Sequence, residues 1–427
     1  MRAYRLVLVS GLILLVSGCS RSGGPLPATF GGSAGEGAWP AFHGPQRDNV
    51  SHEKGLLTRW PSEGPALIWA AQGIGDGYAT VSIADGAVYT SGNLGGQTVV
   101  TSLTLDGTVC WQAPIGQAWT DSHEGSRATP AIDGDRVYCA SPYGDLVCLQ
   151  TENGRKIWQV NILERFGGRN IQWGLAESPL IDDDRVICTP GGNRGRVAAL
   201  DKMTGETVWA TGSGTGSAGY ASAIAAEIHG TRVILAMSGK ALLAADALDG
   251  RFLFEFPFET EYDVHATTPI CVDDCVFISA GYGTGSVMLQ IHRDGNSFRA
   301  VEKWRSDELD NHHGGVVLWD GHLYGAAHHA NKGKWICLEW QTGKLCYAEK
   351  GVGKGSVLCV DGMLYTLGEK SRMGLVRATP NGHELLSQFS LPRGGDGPTW
   401  AHPVVCGGCL YLRHGDRLYC YDVRQGG

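Results

Sequence analysis

The stretch from Asp133 to Trp158, DGDRVYCASPYGDLVCLQTENGRKIW, decides the fold because variants of it recur along most of the 427-residue chain. Each copy opens on an Asp-Gly turn and continues as three short apolar runs, separated by a Gly-containing loop and a polar turn. These are the turn residues of β-hairpins. A run before the copy, such as Ala128 to Ile132, supplies a fourth strand. Each unit therefore predicts four antiparallel strands, which is one propeller blade.

The number of copies predicts the number of blades in the propeller ring, because strand repeats of about 40–50 residues are typical of propellers. Seven closing strands end near an aromatic residue: Trp111, Trp158, Trp209, Phe254, Trp304, Tyr347 and Phe389. An eighth unit stops at Gly427 after its third strand, and GPALIW, Gly64 to Trp69, has the closing pattern without a unit before it. We therefore predict an all-β, eight-bladed β-propeller of four-stranded antiparallel blades, with the ring closed by an N-terminal strand.

The first residues have the layout of a secretory signal. Arg2 and Arg5 precede the apolar run LVLVSGLILLV, which is short for a membrane span. The run ends in Val-Ser-Gly-Cys, which resembles the bacterial lipobox, and this resemblance implies a lipid on Cys19 after removal of residues 1–18. The alternative is an ordinary signal peptide with an incidental cysteine. Ser20 follows Cys19 at the position where an Asp would favour retention in the inner membrane. We therefore expect the anchor to be in the outer membrane and the protein to lie in the periplasm or cell envelope.

The chain after the signal is expected to form three regions: a flexible tether, 19–40; a non-repeating strap, 41–63; and the propeller, 64–427. Gly, Ser, Pro and Ala dominate the tether, as in flexible linkers. The aromatic residues around the strap predict that Trp39, Phe42 and Trp60 pack on the side of the propeller.

Composition excludes one class of partner. The chain carries 35 basic and 43 acidic residues, a formal net charge of −8, and it has no run of Lys and Arg. Binding to nucleic-acid phosphates needs a basic face. Nucleic acid is therefore not expected as a partner.

Thirteen cysteines are unusual in an oxidising compartment unless some of them pair. Cys139 with Cys148, and Cys337 with Cys346, flank hairpins at matching positions and are candidate cross-strand disulfides. The CGGC motif at Cys406 occupies the place of an Asp-Gly turn, whereas redox CxxC motifs normally open a helix. We therefore interpret this motif as structural.

The segments that lead into the innermost strands, and the loops between second and third strands, lie at one end of a propeller axis. We call this end the mouth face, and the opposite end, with its Asp-Gly and Thr-Gly turns, the turn face. Tyr78, Tyr262 and Asp263 lie in the segments that lead into the innermost strands. The ligand-binding candidates among them are His123, Glu124, Arg127, Trp173, Glu177, Tyr220, His265, Asn311, His312, His313, Lys354, Trp400 and His402. Rings that stack and cations that pair with carboxylates would suit an anionic aromatic ligand. The alternative is a channel filled by polar side chains and water, and no catalytic residue is assigned.

His328 and His329 belong to the second-to-third-strand loop of the blade that His312 and His313 lead into. Imidazole suits Zn, Cu or Fe, so these four side chains are the strongest metal-ligand candidates. Neighbouring histidines in a strand or loop point apart, and we expect at most one from each pair to converge. We therefore predict no metal site.

The repeats GDLVCLQTENGRKIW and GRVAALDKMTGETVW are similar to the quinoprotein-like (PQQ-binding-like) propeller repeat, over residues 64–427. The segments WPAFHGPQRD, WGLAESP, AGYAS, NHHGG and AHPVV further resemble a lipoprotein-like bacterial branch. The resemblance implies two functional relatives. Quinoprotein alcohol dehydrogenases hold pyrroloquinoline quinone and Ca²⁺ on the axis, whereas the propeller lipoprotein of the outer-membrane β-barrel assembly machinery binds partners without a cofactor.

The chain departs from the dehydrogenases at their site. It has no adjacent cysteine pair to cover a quinone, and only Glu177, Asp263 and Asn311 are loosely placed for the acidic base and calcium ligands. The sequence therefore favours a lipid-anchored scaffold in the cell envelope that binds a small-molecule ligand or an envelope protein. The alternative is a PQQ-dependent oxidoreductase acting on an alcohol or sugar, for which pyrroloquinoline quinone with Ca²⁺ would be the cofactor.

Overall fold

Eight sheets, each with four antiparallel strands, make up the computed structural model, which describes residues 37–212 and 216–426. The sheet of the seventh blade has a fifth, parallel strand from residues 50–51. The predicted eight-bladed propeller is therefore confirmed. Two strands precede the first complete blade: β1 (Val50–Ser51) and β2 (Ala66–Gln72). The signal, Cys19 and the tether as far as residue 36 lie outside the described residues.

Each blade runs from an innermost to an outermost strand. Blades 1 and 2 contain β3 (Ser82–Ala84), β4 (Ala87–Leu94), β5 (Gln97–Thr104), β6 (Val109–Gln117), and β7 (Ala131–Asp133), β8 (Arg136–Ala140), β9 (Asp145–Gln150), β10 (Lys156–Asn161). Helix α1 (Ile162–Phe166) follows. Blades 3 and 4 contain β11 (Leu180–Asp182), β12 (Arg185–Cys188), β13 (Val197–Asp201), β14 (Thr207–Thr211), and β15 (Ile224–Ile228), β16 (Thr231–Met237), β17 (Ala241–Asp246), β18 (Phe252–Pro257).

The second half of the ring has the same order. Blades 5 and 6 contain β19 (Ile270–Val272), β20 (Cys275–Ala280), β21 (Gly285–Asp294), β22 (Ser297–Ser306), and β23 (Val316–Trp319), β24 (His322–Ala326), β25 (Trp335–Glu339), β26 (Leu345–Glu349). Blades 7 and 8 contain β27 (Gly355–Val360), β28 (Met363–Gly368), β29 (Arg372–Arg377), β30 (Leu385–Ser390), and β31 (Val404–Cys406), β32 (Cys409–His414), β33 (Arg417–Asp422), with β2 as the outermost strand.

The N-terminal strand closes the ring as predicted. Strand β2 pairs antiparallel with β33, from Ala66 opposite Asp422 to Gln72 opposite Arg417. The last blade therefore joins strands from both ends of the propeller, which leaves the ring without an open end.

Closing-strand tryptophans fasten five of the eight blades to the next blade. Trp158 Nε1 donates a hydrogen bond to the Lys202 carbonyl oxygen of the next blade at 3.1 Å. Its ring lies against Gly205, at φ +73°, where a Cβ would be 2.8 Å from the ring. The same pair of contacts recurs at other seams: Trp69 with Leu105 and Gly107, Trp111 with Thr151 and Gly154, Trp209 with Ala247 and Gly250, and Trp304 with Trp340 and Gly343. The repeated Gly and Trp are therefore structural.

The strap does not lie where the sequence predicted. Trp60 packs near Tyr365 and Phe389, but Trp39 pairs with Ile83 of the innermost strand β3, and Phe42 lines the mouth. The prediction that all three aromatic residues pack on the side is wrong for Trp39 and Phe42. Their neighbours are innermost strands, which no local sequence pattern indicates.

Residues 39–51 form a hairpin-like plug in the axial channel. The plug makes backbone or side-chain bonds to five blades: Trp39 to Ile83, Pro40 to Ile132, Arg47 to Ser178 and Pro179, β1 to β27, and His43 to His402. Innermost strands and the segments leading into them surround the axis, so a segment bonded to five of them fills the channel. Both ends of the plug lie at the turn face, where Cys406 Sγ bonds the Gly37 carbonyl and Glu53 accepts from Gly407 and Gly408.

All twelve cysteines of the described residues are free thiols. The predicted disulfides are therefore not formed. Cys139 lies opposite Val147 rather than Cys148, and Cys337 lies opposite Tyr347 rather than Cys346. The strand register, which sequence spacing left open by one residue, explains the difference.

Candidate functional site

A cavity of about 180 Å³ opens on the mouth face, above the tip of the plug. An apolar cavity of about 150 Å³ is enough to admit benzene, so this one has room for an aromatic side chain. Aromatic and imidazole rings dominate its wall. The lining residues are Phe42, Tyr78, His123, Arg127, Trp173, Ala176, Tyr220, Val264, Ala266, Tyr282, His312, His313, Trp400 and His402.

Most of the predicted site residues converge on this cavity although they come from blades on opposite sides of the ring. Eight candidates line it: His123, Arg127, Trp173, Tyr220, His312, His313, Trp400 and His402. The other five candidates do not line it: Glu124, Glu177, His265, Asn311 and Lys354. Convergence follows from the topology, because every blade sends one segment to the same end of the axis.

The five remaining candidates have other surroundings. Glu124 is exposed at the rim, and Lys354 lies behind the cavity wall against Glu369. The amide of Asn311 accepts from Thr267 and donates to a backbone carbonyl, which commits it to the fold. His265 is fully buried beside Phe258, and burial lowers its pKa to about 4.

Glu177 is buried beneath the cavity and faces the plug. Both carboxylate oxygens accept hydrogen bonds from Thr189. Burial raises the pKa of Glu177 to about 7, although the Thr189 bonds and the nearby Arg47 charge oppose the shift. Arg47 donates to the Ser178 and Pro179 carbonyl oxygens. Glu177 is therefore bonded to Thr189 within the channel wall and does not line the cavity.

Arg127 is the cation that lines the cavity. Its guanidinium donates to the backbone oxygens of Gly125, at 3.0 Å, and His123, at 2.7 Å, and lies 5.4 Å from the centre of the Tyr78 ring. Burial lowers the pKa of Arg127, and the nearby Tyr78 and Tyr220 oppose the shift. Within the described residues no carboxylate forms an ion pair with Arg127.

Glu369 organises the part of the wall that contains His313 and Trp400. One carboxylate oxygen accepts from His313 Nε2 at 2.9 Å, Trp400 Nε1 at 2.7 Å and Lys354 Nζ at 3.1 Å. Burial raises the pKa of Glu369, but hydrogen bonds and charges from His313 and Lys354 outweigh it and bring the pKa to about 2. Glu369 is therefore an ionised anchor that sets the orientation of two cavity rings.

Hydrogen bonds also fix the histidine tautomers. His402 Nε2 donates to the His313 carbonyl oxygen at 2.8 Å, so its Nδ1 accepts from His43 Nε2 of the plug at 3.0 Å. Lys354 Nζ lies 3.5 Å from His312 Nδ1, which makes that atom the acceptor and leaves Nε2 as the donor. Burial lowers the pKa of His312, His313 and His402, in the last case to about 4.

The two histidine pairs do come together, so the expectation that neighbouring rings point apart is wrong. Ring centres are 4.9 Å apart for His312 and His313, and 4.3 Å for His328 and His329. His312 stacks on His328 at 4.5 Å, and all but His313 surround Tyr282. Across the described part of the chain, no group of three or more His, Cys, Asp or Glu is arranged to hold a metal ion.

The residues of this region that were not predicted as site residues include Phe42, Tyr78, Tyr282 and Glu369. Tyr78 belongs to a segment leading into an innermost strand but was not among the ligand-binding candidates. Phe42 belongs to the plug, whose position depends on bonds distant in sequence. Tyr282 and Glu369 lie in second-to-third-strand loops, which were expected at the mouth face. Tyr282 also has a left-handed backbone, φ +59°, like His123 at φ +57°. The position of these loops was the signal that could have identified Tyr282 and Glu369.

The residues do not fit pyrroloquinoline quinone with Ca²⁺. Calcium takes six to eight oxygen ligands, usually including carboxylates. Within residues 37–212 and 216–426 no carboxylate lines the cavity. The Glu177 oxygens are bonded to Thr189, and the Asn311 amide is bonded to Thr267 and the backbone. Asp263 is not among the lining residues. The loosely placed calcium ligands therefore do not converge.

The eight blades, docked tryptophans and axial mouth define a quinoprotein-like β-propeller. The chain matches the family described as "Outer membrane protein assembly factor BamB" over residues 95–347, and it belongs to that family. A relative from Kangiella koreensis, named outer membrane protein assembly factor BamB, is 27% identical over 135 residues. This match covers 30% of the chain and 31% of the relative, so it spans about a third of that protein's length.

Solved structures share the fold. BamB from Moraxella catarrhalis aligns with a TM-score of 0.60 and 14% identity, covering 84% of this chain and 98% of that one. The quinohemoprotein alcohol dehydrogenase from Comamonas testosteroni aligns with a TM-score of 0.63 and 13% identity, covering 92% and 82%. At these identities the likeness shows the architecture alone, which both a binding protein and a dehydrogenase can use.

Proposed function

We propose that this chain is a lipid-anchored propeller of the cell envelope that acts as a protein-binding scaffold, with the mouth cavity as the partner site. The observation that carries the proposal is the cavity itself. Rings from blades all around the axis line it, and the plug gives it a floor. Aromatic side chains in a concave site are the usual anchors of protein interfaces.

Binding explains the arrangement better than the dehydrogenase alternative does. The hydrogen bonds to the Glu369 carboxylate hold His313, Trp400 and Lys354 in place at the mouth. Such bonds preorganise a binding surface, which lowers the entropic cost of association. The calcium-ligand candidates are committed to the fold, so no observation favours the quinone-dependent reaction.

Family membership supports the choice of partner. The family description and the Kangiella koreensis relative both refer to outer-membrane protein assembly. We therefore place the partner among the proteins of that process. Because the match to this relative covers only part of each chain, the partner is a proposal and not an inherited property.

The position of the plug is compatible with the proposed anchor at Cys19. The chain reaches the propeller at the turn face, where Cys406 Sγ bonds the Gly37 carbonyl oxygen. A lipid on Cys19 would therefore be joined to the propeller at the end opposite the mouth. No helix among the described residues is long and apolar enough to cross a membrane.

The anchor is tested by Cys19→Ala. A diacylglyceryl group supplies the two-chain attachment that one acyl chain cannot, so the variant should appear in the soluble or unprocessed fraction. Fractionation of envelopes with and without the substitution measures this. An unchanged membrane fraction would count against lipidation.

The partner site is tested by photo-crosslinking in intact envelopes. A crosslinking residue is placed at Glu124 on the mouth rim or, as the matched control, at Glu152 on the turn face; both side chains are exposed. We expect a component of outer-membrane protein assembly to crosslink from position 124 and not from 152. The reverse pattern would refute the mouth as the partner site.

A further inference from the structure

We propose that the mouth cavity recognises a carboxylate on its partner, next to an aromatic or apolar side chain, and that Arg127 holds this carboxylate. The inference rests on the proposed partner site and specifies its chemistry. The occupant is a segment of polypeptide with an acidic side chain or a free C-terminus.

The first argument is the state of Arg127. A guanidinium has five N–H donors in a planar fork that matches a carboxylate. Two backbone oxygens, those of Gly125 and His123, take one donor from each terminal nitrogen. Among the described residues no further acceptor and no acidic side chain bonds Arg127, although it lines the cavity. The remaining N–H groups are therefore available to an acceptor that enters the cavity.

The buried arginines of the channel are different. Arg413 donates to four backbone carbonyl oxygens and to the Thr90 hydroxyl, so the fold itself uses all three of its nitrogens, and it is 1% exposed. Arg47 donates to two backbone carbonyl oxygens, as Arg127 does, but it is only 5% exposed and does not line the cavity. Arg127 is only partly buried and opens on the cavity, which is the arrangement expected of a ligand-binding cation.

The second argument is charge complementarity. The chain carries eight more acidic than basic residues, yet among the residues that the structure describes no carboxylate lines the cavity. The wall carboxylate Glu369 is bonded to His313, Trp400 and Lys354, so its charge is compensated. Glu124 lies at the rim and outside the lining. An anion that enters the cavity would therefore meet one cation without a paired carboxylate, Arg127, and would not be repelled by a negative charge on the lining residues.

The third argument concerns what flanks the carboxylate. Trp173 and Tyr220, with ring centres 6.0 Å apart, form one side of the cavity. His123 and Trp400, with ring centres 4.9 Å apart, form another. Their faces offer apolar contact to a ring or an aliphatic chain. The site therefore favours a carboxylate accompanied by a bulky apolar group over a small free anion.

The experiment compares pairs of probes that differ only in charge. N-acetyl-tyrosine and N-acetyl-tyrosinamide test a terminal carboxylate, and N-acetyl-Tyr-Glu-amide and N-acetyl-Tyr-Gln-amide test a side-chain carboxylate. Calorimetry or ligand-observed NMR with the unaltered protein gives the affinities. We expect at least one acid to bind roughly 10-fold or more tightly than its amide, since charge-assisted bonds are stronger than neutral ones. The pair that shows the difference identifies the source of the carboxylate.

Substitutions test whether Arg127 causes the preference for the acid over the amide. Arg127→Met should remove the preference for the acid, Arg127→Lys should retain part of it because the charge remains without the fork, and Arg155→Met on the turn face should retain all of it. Equal binding of acid and amide by the unaltered protein would overturn the proposal. So would failure of both acids to bind at millimolar concentration, or an equal loss in Arg155→Met.

The outcome of the probe-binding experiment can be distinguished from the outcome of the crosslinking experiment. Crosslinking from position 124 without any preference for acids would leave the partner site standing and refute its carboxylate chemistry. An acid preference that depends on Arg127, without crosslinking from position 124, would support the carboxylate site and refute the protein partner.

Discussion

The two ends of the propeller axis are built from different kinds of residues. On the turn face, hairpins place Asp at left-handed backbone angles before Gly, as at Asp85, Asp320 and Asp361, where this conformation costs little. On the mouth face, His123 and Tyr282 adopt the same angles and line the cavity. Left-handed backbone at bulky residues is unfavourable and is concentrated at functional sites. The turn face repeats a structural solution, whereas the mouth face does not repeat.

The seams between blades show the same contrast. Each docked tryptophan covers a glycine near the turn face and bonds the next blade. The mouth tryptophans, Trp173 and Trp400, are only partly buried and line the cavity. We expect substitutions at the seams to change stability and substitutions at the mouth to change binding.

The largest effect should come from removing the strand that closes the ring. A chain that begins after Gln72 loses β2 and the plug together, and with them the pairing to β33. The loss should exceed a typical total stability of about 5–15 kcal/mol, so the shortened chain should not unfold cooperatively. Calorimetry measures this. A chain that begins at Gly37 is the control, and a cooperative transition within a few degrees of it would contradict ring closure by β2.

Loss of one docked tryptophan should have the next largest effect. Trp158→Ala removes a ring that is 9% exposed and its bond to Lys202. We expect a loss of about 3–5 kcal/mol in the free energy of unfolding, because a large side chain leaves a cavity. Denaturant titration measures it, with Trp158→Phe as the milder control. A loss below about 1 kcal/mol would show that the seam does not depend on this ring.

Acidification should destabilise the mouth through its neutral histidines. Burial lowers the pKa of His265 and His402 to about 4, below the ordinary value of 6.5. The folded state therefore binds protons less readily than the unfolded state. The stability that results is present above pH 6.5 and is lost as the pH falls towards 4, by about 1–2 kcal/mol for each histidine at pH 5.

The measurement is the free energy of unfolding between pH 7.5 and pH 4. His402→Gln should make its decline with falling pH shallower, because one of the titrating groups is removed. His322, which is partly exposed on the turn side, provides the control substitution His322→Gln. An unchanged pH profile in the His402 variant would contradict a neutral, buried imidazole at this position.

Much of the fold could be predicted because its determinants are local. The Asp-Gly turns, the alternating apolar runs and the closing tryptophans repeat along the chain. The strand GPALIW, which has no unit before it, pairs as the fourth strand that the last blade lacked. The convergence of residues at the mouth face could be predicted from the topology, which brings His312 and Trp400 to one cavity although no sequence pattern links them. These inferences needed only the order of strands in a blade.

The failures arose where the structure depends on non-local contacts. The plug has no repeat, and its position is set by bonds such as Arg47 to Ser178 and His43 to His402. The disulfide prediction failed because spacing does not determine strand register. The convergence of Glu369 with His313 joins a loop to a segment 56 residues away, which no motif records.

The most direct test measures partner binding and melting temperature for Trp173→Ala and Trp158→Ala. The partner is the protein that crosslinks from position 124. We expect Trp173→Ala to weaken binding roughly 10-fold or more, as loss of an aromatic anchor does, with the melting temperature nearly unchanged. Trp158→Ala should lower the melting temperature and preserve binding wherever the variant remains folded. Preserved binding in Trp173→Ala, with a lower melting temperature, would contradict the mouth as the site of function.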